Sequence, residues 1–288
     1  MMAKILVALP AYNEAPYIGD IVRKIREKFD DVLVLDDGST DDTACVATEA
    51  GATVHTHGSN KGYGATVQSI LQVAVLSDPD VLVVLDADDQ HSPEDIPALV
   101  KAITDGYDLA IGHRSNKDIP PLRRVGGTVL SIATRLLSGV KIMDSQCGFR
   151  AYSRRAVTLI EPEENGMAVS SEIIALAAWN KLHMIEVPIS VKYMVDSSTH
   201  NPWKQGVYTL WRVVVMLVQD KFFTAGEWFL IQVCYVLRRW THWMRMRHIS
   251  NGRDWRFYEQ YSIREILKMK VDGTEEDKYW AWLHWRNH

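Results

Sequence analysis

Cysteine is scarce in this chain. Cys45, Cys147 and Cys234 are odd in number and scattered over 288 residues. That spacing supports neither a disulfide framework nor a zinc cluster. Long apolar runs are missing too. None approaches the ~20 uncharged residues that cross a bilayer, and the best candidate, 222–237, is short and holds Glu227 and Gln232. A net charge of −4 gives no overall electrostatic case for nucleic acid. No internal repeat or low-complexity linker is present. Met1-Met2-Ala3-Lys4 runs straight into an apolar stretch, so no signal peptide and a cytoplasmic location are expected. The length allows one large α/β domain and an appendage.

What is present is a repeated pattern of apolar run followed by polar loop. Ile5 to Leu9 leads into Pro10-Ala11-Tyr12-Asn13-Glu14. Val32 to Leu35 leads into Asp36-Asp37-Gly38-Ser39-Thr40. Val83-Val84-Leu85 leads into Asp86-Ala87-Asp88-Asp89-Gln90-His91, and Leu109 to Gly112 into His113-Arg114. Continuous apolar runs of this length suit parallel strands covered on both faces. Between them Tyr63, Val67, Ile70, Leu71, Ala74 and Val75 share one stripe at helical spacing. Ser92-Pro93-Glu94-Asp95 reads as a helix start. Alternating strands and helices predict a mostly parallel, Rossmann-like α/β sheet. Ligands collect at the carboxyl ends of such strands, where all four loops fall.

Asp86 and Asp88 are the most informative pair. Residues i and i+2 of an extended segment point the same way, so both can serve one site. Hard oxygen ligands suit Mg²⁺ or Mn²⁺, which are commonly shared with substrate phosphates. Alone, the pair reads equally well as an acidic turn; its neighbours favour a site.

Pro-Ala-Tyr-Asn-Glu, Leu-Asp-Asp-Gly-Ser, Asn60-Lys61-Gly62-Tyr63-Gly64, Asp-Ala-Asp-x-Gln-His, Gly-x-Arg and Asp144-Ser145-Gln146-Cys147-Gly148-Phe149-Arg150 occur in order, followed by Glu172 and Glu186-Val187-Pro188-Ile189. Over roughly residues 4 to 212 the chain resembles family 2 glycosyltransferases, in particular the dolichol-phosphate mannosyltransferase-like branch. The resemblance implies a GT-A fold, a UDP- or GDP-sugar donor, a divalent metal (Mg²⁺ or Mn²⁺) and inversion at the anomeric carbon. It places the ion on Asp88 and Gln90 and the ribose or donor on Asp86. Asp37 is expected to read the nucleobase or ribose, with Pro10, Tyr12 and Glu14 completing the base pocket. Leu35, Lys61 and Ala87 join the donor contacts. Asp89 stands where the family has an apolar residue, and His113 where it has a small Ser. Sugar-nucleotide nucleotidyltransferases open instead with a Gly-rich phosphate loop, and Pro10–Glu14 has no glycine.

A polyprenyl phosphate acceptor is already ionised near neutral pH, so it requires cationic anchors more than a strong base. Arginine forks match phosphate geometry, and by position in the family Arg114 and Arg123 are the expected pair. Arg123-Arg124 also reads as the end of a surface helix. For a saccharide or other hydroxyl acceptor, Asp144 or Glu172 is the candidate base. Glu172 equally suits the first turn of a helix over about 170–180.

Relatives place Arg and Lys in a segment that closes over the donor diphosphate. Here that segment, 193–204, contains no Arg, which leaves His200 and Lys204 for the part. From Trp203, Val207, Leu210, Trp211, Val214, Leu217 and Val218 mark one predicted helical face. A boundary is expected near 220, with a glycosyltransferase domain over 1–220 and a Trp- and Arg-rich helical extension over 221–288. Trp228, Trp240 and Trp243 lie among Arg238, Arg239, Arg245, Arg247, Arg253 and Arg256. Such chemistry suits a membrane surface, and equally packing or oligomerisation through the tail. Nucleic acid has no further support.

Overall fold

The computed structural model describes residues 3–114, 121–191, 206 and 208–216, with backbone alone at 121–125. All belong to one compact unit, Met1–Lys221. The expected boundary near 220, the extension beyond it, and His200 and Lys204 lie outside the described residues.

Strands β1 (Ile5–Ala11), β2 (Asp31–Asp36), β3 (Thr53–Thr56), β4 (Val81–Val84), β5 (Leu109–Arg114), β6 (Arg150–Ser153) and β7 (Met184–Ile189) form one sheet in the order β3-β2-β1-β4-β6-β5-β7. Helices α1 (Ala15–Arg26), α2 (Thr43–Glu49), α3 (Tyr63–Ser77), α4 (Ile96–Thr104), α5 (Pro121–Ser138), α6 (Arg154–Leu159) and α7 (Val169–Trp179) connect or flank the strands. The apolar runs became β1, β2, β4 and β5 because their residues are buried on both faces. On α3, Val67, Ile70, Leu71 and Ala74 are buried as the stripe predicts, with Tyr63 and Val75 packed against the same core. Ser92 Oγ caps a 3₁₀ turn, Pro93–Asp95, that leads into α4. Edge strand β3 has no counterpart in the sequence pattern; Thr53, His55 and Thr56 carry no apolar signal, and most of the strand is exposed.

The sheet is parallel except at β6, which runs antiparallel to both β4 and β5. This exception builds the site. Reversal puts the start of β6 at the carboxyl ends of its neighbours, with Arg150 opposite both Val84 and Ile111. The loop 144–149 therefore enters at the edge where the other polar loops end. Because β4 and β5 flank one intervening strand, their ends stand about 10 Å apart, two inter-strand spacings.

The last described stretch, 208–216, is helical, but its inward face differs from the prediction. Thr209 and Val213 are buried, and Leu210 and Met216 pack beside Ala133, Leu137, Ala168 and Ala175. Trp211 and Val214 point outward, Trp211 with 62% exposure. The apolar pattern misled because small residues of α5 and α7 form the receiving surface, while the large ring is left outside.

Candidate active site

Two loops at the ends of β1 and β2 are stitched together by side chains. Asn13, at φ 57, accepts from Thr40 N through Oδ1 at 2.9 Å, and its own N–H donates to Ser39 Oγ at 2.9 Å. Glu14 N donates to Thr43 Oγ1 at 2.8 Å. Asparagine tolerates the left-handed region because its short amide bonds locally. The result leaves Tyr12 standing out of the loop, 42% exposed, while Pro10 is buried in the sheet. Leu35 and Ala87 are each 2% exposed, so their side chains belong to the core and only their backbone can meet a ligand.

Asp37 is 3% exposed, and its carboxylate is already engaged. It accepts from Lys61 N at 2.9 Å and Gly62 N at 2.8 Å, and pairs with His57 Nδ1 at 2.7 Å. His57 Nε2 in turn meets Ser69 Oγ at 2.9 Å. Three of the roughly four acceptor positions of this carboxylate are thereby taken from within the protein. The carboxylate shapes the 57–62 loop that presents the exposed Lys61. His57 and Ser69 carried no sequence signal, since they sit in weakly patterned segments.

At the end of β4, Asp86 and Asp88 lie close enough for the Asp86 charge to bear on Asp88. Asp88 accepts from Gln90 N at 3.0 Å and from Gln90 Nε2 at 2.6 Å, which sets the two side chains side by side. Asp89 between them adopts φ 55, a conformation Asp tolerates and a β-branched apolar residue resists. That is the structural reason for Asp89 at this turn. Burial raises the Asp86 and Asp88 pKa values, and for Asp88 the Asp86 charge adds to it. Glu14 is pushed up to about 7 by burial and then by the charges of Asp88, Asp41 and Asp86. His91, its ring tilted 43° against Phe149 at 5.5 Å, is held down to about 4 by burial, so it stays neutral and supplies no counter-charge.

Burial of these carboxyls ties stability to pH. A carboxyl whose folded pKa exceeds its unfolded value binds its proton more tightly when folded. Stability is then greatest below the unfolded value and falls as pH rises toward the folded one. For Glu14 the window runs from 4.5 to about 7. The Tm of metal-free protein is expected to fall across that window, and Glu14→Gln to flatten part of the fall. Thermal melts at matched pH check it; equal slopes for both proteins contradict it.

On the β5 side, Arg114 Nε and Nη2 donate to Asp144 Oδ2 and Oδ1 at 2.6 and 2.7 Å, a bidentate pair. Glu186 on β7, whose role the sequence did not reveal, accepts from Met143 N and Asp144 N at 2.9 and 3.0 Å and so fixes Asp144 toward Arg114. His113 Nδ1 lies 3.8 Å from the same Glu186. Arg123 falls on α5, and its side chain is outside the described residues. Glu172 is in the first turn of α7, but both its oxygens accept backbone N–H bonds, from Glu163 at 3.0 Å and Glu164 at 2.9 Å. Glu172 thus holds a loop in place. Glu164 O cannot tolerate a side chain at Gly64, Asn165 O accepts from Gly64 N at 2.8 Å, and Glu164 Oε2 pairs with Arg212 at 2.6 Å. The 163–166 loop thereby locks the Lys61–Gly64 turn against the core.

A mostly parallel α/β sheet with its acidic, arginine and tyrosine loops gathered at one edge is a GT-A-type glycosyltransferase architecture. Residues 6–159 match the family description "Glycosyl transferase family 2". The chain belongs to this family and is a glycosyltransferase. It is 34% identical over 229 residues to an uncharacterized protein of Methanocaldococcus jannaschii, covering 76% of this chain and 93% of that one. It is 31% identical to the UDP-N-acetylglucosamine–dolichyl-phosphate N-acetylglucosaminyltransferase of Methanococcus voltae, covering 66% of this chain and 86% of that one. Within the family it groups with the dolichyl- and polyprenyl-phosphate branch that the motifs indicated. Among solved structures, glucosyl-3-phosphoglycerate synthase from Mycobacterium tuberculosis, in complex with Mg²⁺ and UDP, superimposes with TM-score 0.61 at 22% identity, covering 75% of this chain and 79% of that one. At that identity the likeness concerns the fold.

Proposed function

We propose that this chain transfers a sugar from a UDP- or GDP-sugar to a polyprenyl phosphate, with inversion, at a membrane surface. The observation that carries the reading is the division of the sheet edge. Three carboxylates, Glu14, Asp86 and Asp88, gather on the β1 and β4 side, and the Arg114–Asp144 fork stands one strand away at the end of β5. The activity for which the Methanococcus voltae relative is named supports the same acceptor class.

Among the described residues no three His, Cys, Asp or Glu side chains form a cation cage, so a hard divalent cation on the acidic side would be shared with the donor's phosphates. The carboxylates there are partly buried, and burial, followed by the charge of neighbouring carboxylates, raises the pKa values of Glu14 and Asp88. Asp88 and Gln90 would hold Mg²⁺ or Mn²⁺, which supplies neutralisation of the leaving diphosphate without proton transfer. Tyr12, Glu14, Asp86 and Lys61 surround the donor, with Asp37 keeping the Lys61 loop in place. His200 and Lys204 remain the candidates for closing over the diphosphate. On the other side, Arg114 with Arg123 orients the acceptor phosphate, whose ionised oxygen displaces the nucleoside diphosphate from the anomeric carbon in one step. A single displacement from the face opposite the leaving group inverts that carbon. No side chain has to remove a proton from this acceptor, consistent with the tie-up of Glu172 on its loop and of Asp144 on Arg114.

The acceptor's chain lies in a bilayer, so the protein has to meet one. Among the described residues no helix is long and apolar enough to cross a membrane. Helix α5, however, carries exposed Val129, Ile132 and Leu136 at i, i+3 and i+7, with Ile132 at 55% and Leu136 at 63% exposure. Exposed Arg135, Lys141 and Met143 lie beside or just beyond them, and Met143 directly precedes Asp144. An apolar stripe with basic neighbours suits shallow insertion into an anionic surface. Ile132→Asp with Leu136→Asp is expected to reduce sedimentation with anionic liposomes at least tenfold while leaving nucleotide binding intact. Unchanged sedimentation would remove α5 from the membrane contact and leave that contact to residues beyond 220.

A further inference from the structure

Asp86 is supported from inside the protein by groups to which the reaction above assigns no role. Tyr63, the first residue of α3, donates its phenol O–H to Asp86 Oδ1 at 3.0 Å. The phenol is buried, and burial together with the Asp86 charge raises its pKa well above the ordinary value, so it remains a donor. Gly148 lies against the same carboxylate. A Cβ there would stand 2.7 Å from Oδ1 and closer still to Oδ2, so only glycine leaves the room. His91 Nε2 is 3.8 Å from Oδ2, beyond hydrogen-bond reach. Arg150, 2% exposed, donates to the carbonyls of Cys147, Ser145 and Ser170. Tyr63, Gly148 and Arg150 also line one small cavity at this point.

Each oxygen of Asp86 therefore has a different environment. Oδ1 is held by Tyr63, Oδ2 lies against Gly148 with His91 Nε2 3.8 Å away, and the side chain keeps 29% of its surface exposed. We propose that Tyr63 is a positioning residue for donor recognition. By holding Oδ1, with Gly148 leaving space, it turns Oδ2 to accept a ribose hydroxyl of a nucleoside diphosphate. The inference rests on the donor reading given above. It extends that reading to two residues that never touch the donor. It also explains the Tyr in Lys61-Gly62-Tyr63-Gly64, where Gly62 and Gly64 alone suffice for the close approach to 164–165.

The test is titration of the full chain, in Mn²⁺, with UDP and GDP and with their 2′-deoxy and 3′-deoxy counterparts. Wild-type protein is expected to bind one ribonucleotide at least tenfold tighter than one of its deoxy forms. Tyr63→Phe is expected to lose most of that ratio, through weaker ribonucleotide binding with deoxynucleotide binding nearly unchanged. Gly148→Ala, which displaces the carboxylate and keeps the phenol, should do the same, and Asp86→Asn sets the floor. Thermal melts confirm that each variant is folded, and either folded variant suffices. Discrimination retained in a folded variant overturns the inference. So does an equal loss of ribo- and deoxynucleotide binding, which marks a general structural role, and so does wild-type indifference to both hydroxyls. Wild-type binding of neither UDP nor GDP is a different failure, because it overturns the donor reading itself and takes the inference with it.

Discussion

Asp88→Ala is expected to lower turnover about a thousandfold or more while leaving the fold intact. The size follows from the chemistry. Charge on a departing diphosphate is worth several kcal/mol of neutralisation, and each 1.36 kcal/mol is about tenfold in rate. The survival of the fold follows from the hydrogen bonds of Asp88, which go to Gln90 two residues away. Without a cation the carboxylate is a cost to the folded state, because burial and Asp86 both raise its pKa. The metal-free variant should therefore melt at the same temperature as wild type or slightly higher. Mn²⁺ should raise the wild-type Tm and leave the variant unmoved. Steady-state turnover with and without a chelator, paired with melts, checks all three points. Undiminished wild-type activity after exhaustive chelation contradicts the metal assignment, whatever the variant does.

Arg114→Ala should carry two separable losses. The first is acceptor affinity. A charge-assisted hydrogen bond to phosphate is worth about 1.5–3 kcal/mol, so the apparent KM for polyprenyl phosphate should rise by roughly ten- to a hundredfold. The second is stability. Asp144 is left largely buried with its bidentate partner gone. Breaking a buried pair costs about 3–5 kcal/mol, and partial exposure of Arg114 puts the expected loss at or below the lower end. The double variant with Asp144→Asn tells the two apart. It should recover much of the stability and none of the acceptor affinity. Donor hydrolysis without acceptor should change little in either protein. Loss of donor binding equal to the loss of acceptor binding would move Arg114 to the donor side.

The parallel part of the sheet was legible because strands buried on both faces must be apolar throughout. Ile5–Leu9, Val32–Leu35 and Leu109–Gly112 announce themselves, and the loops that follow them hold most of the site. Antiparallel β6 was not legible. Arg150-Ala151-Tyr152-Ser153 opens with a charged residue, and Arg150 is buried only because three backbone carbonyls converge on its guanidinium. A local pattern cannot show acceptors that arrive from 145, 147 and 170. The same reason hid the backbone contacts of Asp37 and Glu172. Both accept backbone N–H bonds from loops outside their own element, Asp37 from Lys61 and Gly62 and Glu172 from Glu163 and Glu164. Tyr63 looked like one more residue of an apolar stripe, and its hydroxyl gave no sign of Asp86. Trp211 went wrong in the opposite sense. A large ring suggests an interior, but the surface that receives this helix is made mostly of alanines.

The most direct test of the central claim is transfer itself. Full-length protein would be incubated with Mn²⁺, polyprenyl phosphate in anionic liposomes, and a panel of UDP- and GDP-sugars labelled in the sugar. For one donor, label should pass into the organic phase as a glycosyl polyprenyl phosphate, with one nucleoside diphosphate released per sugar moved. Both signals should vanish with Asp88→Ala. Sugar transfer to a soluble saccharide or phosphate-bearing hydroxyl, with no label in the organic phase for any donor, would contradict the account.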